Sequence, residues 1–261
     1  MTDEATARRV VDEIGFPFVV KPPVKSPAWE AHAGKVVRFD DAPAWEAAHP
    51  VLTRLARPLV VQEWIDGGED ELVSCNGYAH GDGRTVTFVS RKLRQWPRGT
   101  GTTSLGEVVD APEVEAMTVD LVQSLPYRGL FYLEVKRTPN GGVVAIEANV
   151  GRPTGRSALA EASGIELVQT MYADLVGLPA PVSRLRRTDV RWIDLRRDTQ
   201  AAFEAWRGGE LSLLDWWRSL RGPHHHAVID RRDPRPFIGE LRHVLRRRFR
   251  GGPRPSVGAK P

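Results

Sequence analysis

The sequence predicts an α+β protein built on antiparallel sheets, with a mainly helical C-terminal extension. Three observations carry this. Residues 1–65 alternate short helical periodicities with short apolar strands. Residues 66–180 carry longer strands with hairpin signals. After residue 180 the pattern turns to Trp-rich amphipathic helices. The expected domains are therefore 1–65, 66–180, 181–250 and a Gly/Pro-rich disordered tail at 251–261.

In chain order, residues 3–14 read as a helix with Ala5, Val10, Val11 and Ile14 on one stripe, broken by Gly15-Phe16-Pro17. Phe18-Val19-Val20 is a short buried strand ending at Lys21-Pro22-Pro23. The prolines stop its pairing and turn the Lys21 ammonium toward whatever cleft the strand ends face; lysines also end strands with no such role. Residues 24–33 read as a loop and 35–39 as a second strand. Residues 42–56 read as a helix capped by Asp40 or Asp41. Residues 59–65 form a third strand, closed by Asp66-Gly67-Gly68.

Strands at 71–80 and 84–93 then pair about a tight turn at 81–83, with Arg91 and Lys92 pointing outward. The loop 96–106 contains Arg98-Gly99-Thr100-Gly101-Thr102-Thr103-Ser104. It reads equally as an anion cradle of backbone N–H groups and as plain loop. A helix follows at 112–124.

Residues 129–150 are the most informative stretch. Asn140-Gly141 between two alternating apolar runs signals a two-residue hairpin turn. That turn sets Glu134 opposite Glu147, with Glu134, Lys136, Glu147 and Asn149 on one face and Leu133, Val135, Val144, Ile146 and Ala148 on the other. Two carboxylates about 5 Å apart repel each other. A hard cation such as Mg²⁺ held by both, with the Asn149 amide oxygen, removes that cost. A solvated sheet face screened by Lys136 explains the pattern as well, and from the residues alone the two stand level.

Composition is that of an ordinary globular protein, at 41% hydrophobic and 27% charged over 261 residues. No apolar run is long enough for a membrane span, no signal-peptide core is present, and the single Cys75 excludes an intrachain disulfide framework. A cytoplasmic protein is expected. The net charge of +4 gathers its arginines after residue 184, ending in Arg246-Arg247-Arg248-Phe249-Arg250. Without interleaved aromatics that end argues for a solvated helix face rather than nucleic-acid binding. Trp206, Trp216 and Trp217 read as packing anchors. His224-His225-His226 precedes a strand-like Ala227-Val228-Ile229; adjacent strand residues face opposite ways and no spaced partner set exists, so the triplet is not taken as a metal site.

Four motifs stand in order: Gly15-Phe16-Pro17-Phe18-Val19-Val20-Lys21-Pro22, Val61-Gln62-Glu63-Trp64-Ile65-Asp66-Gly67, Leu133-Glu134-Val135-Lys136 and Ile146-Glu147-Ala148-Asn149. Together they resemble the ATP-grasp superfamily over about residues 5–180. Ser90-Arg91-Lys92-Leu93-Arg94-Gln95-Trp96-Pro97 followed by Gly99-Thr100-Gly101 is most similar to its predicted carboxylate–amine ligase branch. The resemblance implies that ATP lies between two α+β subdomains, with Lys21 on the α/β-phosphates and Lys35 replacing part of a glycine-rich phosphate cover. It implies a hinge at Gln62, Glu63, Trp64 and Ile65, where Glu63 and Ile65 read adenine, and Glu69 or Glu71 on the ribose. Glu134, Glu147 and Asn149 would hold Mg²⁺ (or Mn²⁺).

The implied reaction activates a small-molecule carboxylate as an acylphosphate for attack by an amine. Arg152, Arg156 and Lys92 are the catalytic candidates. The family's arginine two residues after the metal-binding Asn falls at Gly151 here, so Arg152 and Arg156 share that expectation. The resemblance also implies an upstream α/β domain and lysine. The chain starts inside that segment, so a separate chain supplying them, or a truncated start, is expected. The alternative is a degenerate ATP-binding module without full turnover, and a third reading rests on the basic residues 242–250.

Overall fold

The computed structural model describes residues 4–24, 26–230 and 232–249. They divide into two compact units, Met1–Ile65 with Leu241–Pro261, and Asp66–Glu240. Residue 3 of the expected first helix, Arg250 and the tail at 251–261 lie outside the described residues.

In the first unit, helix α1 (Glu4–Ile14) leads into β1 (Phe18–Lys21), α2 (Pro27–Ala33), β2 (Val37–Phe39), α3 (Ala42–Leu55) and β3 (Val60–Glu63). The strands form an antiparallel sheet in the order β2-β1-β3. Phe18, Val20 and Phe39 turn one face onto Trp29, Trp45, Leu52 and Leu59, with Trp45 edge-on to Phe18 and Phe39 at 5.3 and 5.2 Å. Strand alternation puts Val19, Lys21, Arg38, Val60 and Gln62 on the face turned away from this core.

Residues 24–33 are not simply a loop. Ser26 caps α2 by accepting from Trp29 N at 3.1 Å, and Pro27 fills the first helical turn, where its missing N–H costs nothing. Trp29, wholly buried, then anchors the helix in the core. Strand β2 starts at Val37, leaving Lys35 in the bend before it, and β3 ends at Glu63, so Trp64 and Ile65 follow the strand. Trp64 N donates to Pro17 O at 3.0 Å, and the Arg38 guanidinium lies 4.5 Å over the Trp64 ring.

The second unit is a seven-stranded mixed sheet. Its elements run β4 (Leu72–Ala79), β5 (Thr85–Trp96), β6 (Thr102–Val108), α4 (Pro112–Gln123), β7 (Gly129–Arg137), β8 (Val143–Val150), α5 (Gly155–Ala162), α6 (Leu167–Val176), β9 (Arg191–Ile193), α7 (Leu195–Arg207), α8 (Leu213–Ser219) and β10 (His224–His226), before α9 (Arg235–Phe249). Strand order is β10-β9-β6-β5-β4-β7-β8, antiparallel except between β9 and β10. Val73, Cys75, Val89, Leu133 and Val135 pack against Ala111 and Val114 on one face. Tyr78, Phe88 and Leu130 pack against Leu159, Ala160 and Leu167 on the other.

Most of the expected 96–106 loop is strand, because β5 runs on to Trp96 and β6 begins at Thr102. Arg91 and Lys92 do not both point outward. Arg91 bonds Glu107 across the ladder at 2.6 Å, whereas Lys92, on the other face, is 4% exposed. The segment after 180 adds two strands to the sheet. There Gly155 lets α5 approach β9, since a Cβ at that position would lie 2.8 Å from the Trp192 ring. Helix α7 is fixed by Asp198, which accepts from Arg94 Nε and Nη2 at 2.8 and 2.9 Å, from Trp216 Nε1 at 2.9 Å and from Ser104 Oγ at 3.3 Å. Trp216 is thus an anchor, while Trp206 and Trp217 stay about half exposed. The strand expected at 227–229 lies earlier, on the three histidines themselves.

Candidate active site

The β7–β8 hairpin sets Glu134 opposite Glu147, by a route other than the expected two-residue turn. Gly141 N donates to Thr138 O at 2.9 Å and Thr138 N to Gly142 O at 2.8 Å; Gly141 takes φ +79°, and Asn140 keeps a negative φ. This is a three-residue loop with glycine in the left-handed position. It pairs Arg137 with Val143 and Lys136 with Val144, one residue out of step with the expected register. An irregularity between Glu134 and Val135 skips Ile146 and restores the step. Val144, expected on the apolar face, therefore sits across from Lys136 at 37% exposed, and Val143 packs in the core instead.

Around the two glutamates the sheet builds a polar face. Ser90, Ser74, Glu134 and Glu147 stand side by side across β5, β4, β7 and β8. The parallel row is Phe88, Asn76, Tyr132 and Asn149. Lys92 Nζ reaches Glu134 at 3.1 and 3.0 Å to its two oxygens and donates to Gln95 Oε1 at 3.2 Å. Register shifts on either side of Arg94 return Gln95 to the side of Lys92 while Arg94 turns to Asp198. From the first turn of α5, Arg156, 5% exposed, places Nη2 3.6 Å from Glu134 and its guanidinium 5.4 Å over the Tyr132 ring. Burial, then the charges of Glu147 and Glu134, push the Tyr132 hydroxyl up to about 12, so it stays a proton donor at neutral pH.

The candidates separate clearly. Glu134, Glu147, Asn149, Lys92 and Arg156 come together on this face. Arg152 is exposed, though its charge acts on Tyr132. Lys136, expected as the screening cation, donates to Gly67 O at 2.8 Å, and it is Lys92 that sits on Glu134. Glu69 is committed to backbone amides, accepting from Gln95 N at 3.0 Å and Gly99 N at 2.9 Å, which closes the β5–β6 turn. Glu71 follows it in a single 3₁₀ turn. In the first unit, Lys21 and Gln62 share the face away from the core, Glu63 is exposed at the end of β3, and Lys35, Trp64 and Ile65 lie outside the strands. Ser74, Asn76 and Tyr132 are not among the residues the sequence singles out, and Ser90 and Gln95 enter there only as part of the 90–97 motif, without a role. Their signal is long-range strand order, which alternation within one strand does not carry.

Buried polar atoms without a hydrogen-bond partner gather here: Ser74 Oγ, Ser90 Oγ, Gln95 Nε2, Asn149 Nδ2 and Arg156 Nη1. Such atoms are rare in folded proteins, and together they leave this face with polar groups that a polar ligand or water would satisfy. The Glu147 carboxylate makes no hydrogen bond or ion pair with another described residue, though its charge acts on Tyr132.

No protein-family model and no curated protein matches the sequence. Solved structures do match. Biotin carboxylase from Campylobacter jejuni, in complex with β-γ-ATP, aligns with TM-score 0.56 at 14% identity over 72% of this chain and 43% of its own. N5-carboxyaminoimidazole synthetase from Staphylococcus aureus, complexed with ADP, gives 0.55, 14%, 72% and 48%. The biotin carboxylase domain of Hydrogenobacter thermophilus 2-oxoglutarate carboxylase, with MgADP and bicarbonate, gives 0.54, 13%, 70% and 42%. The chain has the ATP-grasp fold. It spans less than half the length of each of these ATP-grasp structures.

The ATP-grasp face of the second unit fits a hard divalent cation. It offers two carboxylates and an amide, and among the described residues no set of three or more His, Cys, Asp or Glu that could form a cage. Mg²⁺ prefers that economy, taking one or two carboxylates and completing its shell with water and phosphate oxygens. Among the described residues no helix is long and apolar enough to cross a membrane.

Proposed function

We propose that this chain carries the nucleotide- and metal-binding machinery of an ATP- and Mg²⁺-dependent ligase acting in the cytoplasm. It activates a small-molecule carboxylate as an acylphosphate for attack by an amine. The observation that supports this is the opposed Glu134–Glu147 pair, with Asn149 alongside and Lys92 and Arg156 at its rim. Glu134, Glu147 and Asn149 would hold Mg²⁺, which when bound neutralises phosphate charge during transfer. In the first step a carboxylate oxygen of the acceptor bonds the γ-phosphorus and the bond to the ADP oxygen breaks. In the second, the amine nitrogen bonds the acyl carbon, phosphate leaves with the C–O electron pair, and the amine gives up a proton.

The protein's own residues act by charge and position. Arg156, buried at the rim of the pair, would stabilise the oxyanion of the acyl-transfer step, with exposed Arg152 in support. Lys92 orients Glu134 and lends a second positive charge to the phosphoryl oxygens. Tyr132, kept protonated, donates a hydrogen bond without competing as a base. In the first unit, Lys21 serves the α/β-phosphates, Lys35 part of their cover, and the Gln62–Ile65 stretch the adenine. With Glu69 closing a turn, Glu71 takes the ribose hydroxyls. A further domain, on this polypeptide or a separate one, holds part of the carboxylate substrate.

ADP release with panels of carboxylates and amines tests the reading. Glu147→Ala should lower turnover at least ~10²-fold, the scale of losing a group that stabilises transition-state charge. Unchanged turnover in that variant refutes the mechanism. One observation favours a second reading, an ATP-binding module without turnover: Lys92 and Arg156 already neutralise Glu134. Tight MgATP binding with no ADP release for any substrate pair would select it.

A further inference from the structure

The three histidines at 224–226 fall outside the face described above. Strand β10 places His224 and His226 on one face of the sheet edge, with His225 turned to the other. The alternation that argues against a three-histidine site therefore brings two together, ring centres 6.2 Å apart and planes 39° from one another.

Each ring of the pair has a buried nitrogen without a partner, Nε2 on His224 and Nδ1 on His226. Buried polar atoms without a partner are rare in folded proteins, and here two occur on neighbouring side chains of one face. The other nitrogen of His224 fixes its state. Nδ1 lies 2.8 Å from Gly222 O, a carbonyl that can only accept, so Nδ1 carries the proton and Nε2 presents its lone pair. A backbone carbonyl on the far nitrogen is the arrangement that orients metal-ligating histidines. Arg191, the cross-strand neighbour of His224, is committed to Glu107 at 3.1 Å and Ser219 O at 3.0 Å.

We propose that His224 and His226 form a two-imidazole chelate for a late first-row divalent metal ion (Zn²⁺, Ni²⁺ or Cu²⁺), with water completing its coordination. Imidazole nitrogen suits these ions over Mg²⁺, so the site is chemically separate from the glutamate pair. Metal–nitrogen bonds of about 2.0–2.1 Å in tetrahedral geometry put ring centres about 5 Å apart. Closure thus takes a shift of about 1 Å, within reach of small χ rotations on a three-residue edge strand.

The test is calorimetric titration of Ni²⁺ and Zn²⁺ into the full chain carrying no affinity tag, alongside His224→Ala, His225→Ala and His226→Ala. One equivalent should bind, His224→Ala and His226→Ala should each weaken it at least about tenfold, and His225→Ala should leave it within about twofold. Equal losses in all three variants, or wild-type binding no tighter than the His224/His226 double variant, would overturn the proposal; a trapped water satisfying both nitrogens gives that second result. Cu²⁺ electron paramagnetic resonance on the wild-type chain decides independently of how the variants fold. Hyperfine coupling to two imidazole nitrogens supports the chelate, and coupling to one or none refutes it.

Discussion

Asp198 gives the sharpest stability prediction. Its fully buried carboxylate collects four donors, two from Arg94 and one each from Trp216 and Ser104, and Arg94 also donates to Ser219 Oγ at 2.8 Å. Asp198→Ala leaves a nearly buried guanidinium with Ser219 Oγ in place of a carboxylate, and takes the acceptor from the Trp216 indole N–H. Breaking a buried pair from one side costs about 3–5 kcal/mol. For a unit the size of residues 66–240, each kcal/mol moves the melting temperature by about 2–4 °C, so the expected fall is about 6–20 °C. Arg94→Met should cost a comparable amount. The combined Arg94→Met/Asp198→Leu chain should be more stable than either single variant, because no orphaned charge remains and apolar side chains fill the space. Thermal and urea unfolding of all four chains, followed by circular dichroism, measure this. A shift under about 3 °C for Asp198→Ala, or a combined variant no more stable than either single one, would show that the contacts do not carry α7 as argued.

Trp29→Ala should cost about 3–5 kcal/mol in urea unfolding of the first unit, since its ring is wholly buried; a loss under about 1 kcal/mol would mean α2 is not anchored there. Cys75, buried with its thiol pushed up to about 12, should resist Ellman's reagent at pH 8 until the chain unfolds; rapid labelling of native protein contradicts that packing. Asp174 is held down to about 2, first by the hydrogen bond from Tyr78 and then by His80 and Arg128, against an ordinary value of 3.8. Its stabilising contribution is complete above about pH 4 and lost as pH falls through about 2. Melting temperature against pH should therefore drop more steeply over that window in the wild-type chain than in Asp174→Asn, and identical slopes would refute the assignment.

What the sequence shows and what it hides divides by range. Local signals work: Lys21 ending β1, the Asn-Gly hairpin and the helix at 112–123 are all readable within one window. Ser26-Pro27 is an equally local helix start, but the helix it opens is only seven residues long and one tryptophan, Trp29, anchors it in the core. Lys92 departs from its expected place for a different reason. Adjacent strand residues always face opposite ways, so Arg91 and Lys92 cannot both point outward; which one turns in depends on β5 lying beside β4 and then β7. The same long-range order brings Ser74, Ser90 and Asn76 to the glutamates, and no single-strand pattern encodes it.

The hairpin shows that a correct pairing can rest on an incomplete reason. The three-residue turn alone would set Leu133 opposite Glu147 and Glu134 opposite Ile146, since partners next to the loop are Arg137 with Val143. Cross-strand partners share a face, so that register would bury Glu147 and Asn149 against Val73, Cys75 and Val114, and expose Ile146. Burying a carboxylate without a partner costs several kcal/mol, more than a local break in the ladder. Skipping Ile146 is the cheaper solution, and it returns both polar side chains to the face of Glu134. The irregularity is therefore written in the polarity of residues 147 and 149 together with the turn at 139–141. Neither signal reveals it alone, and the opposition of the two glutamates is the register in which both are satisfied.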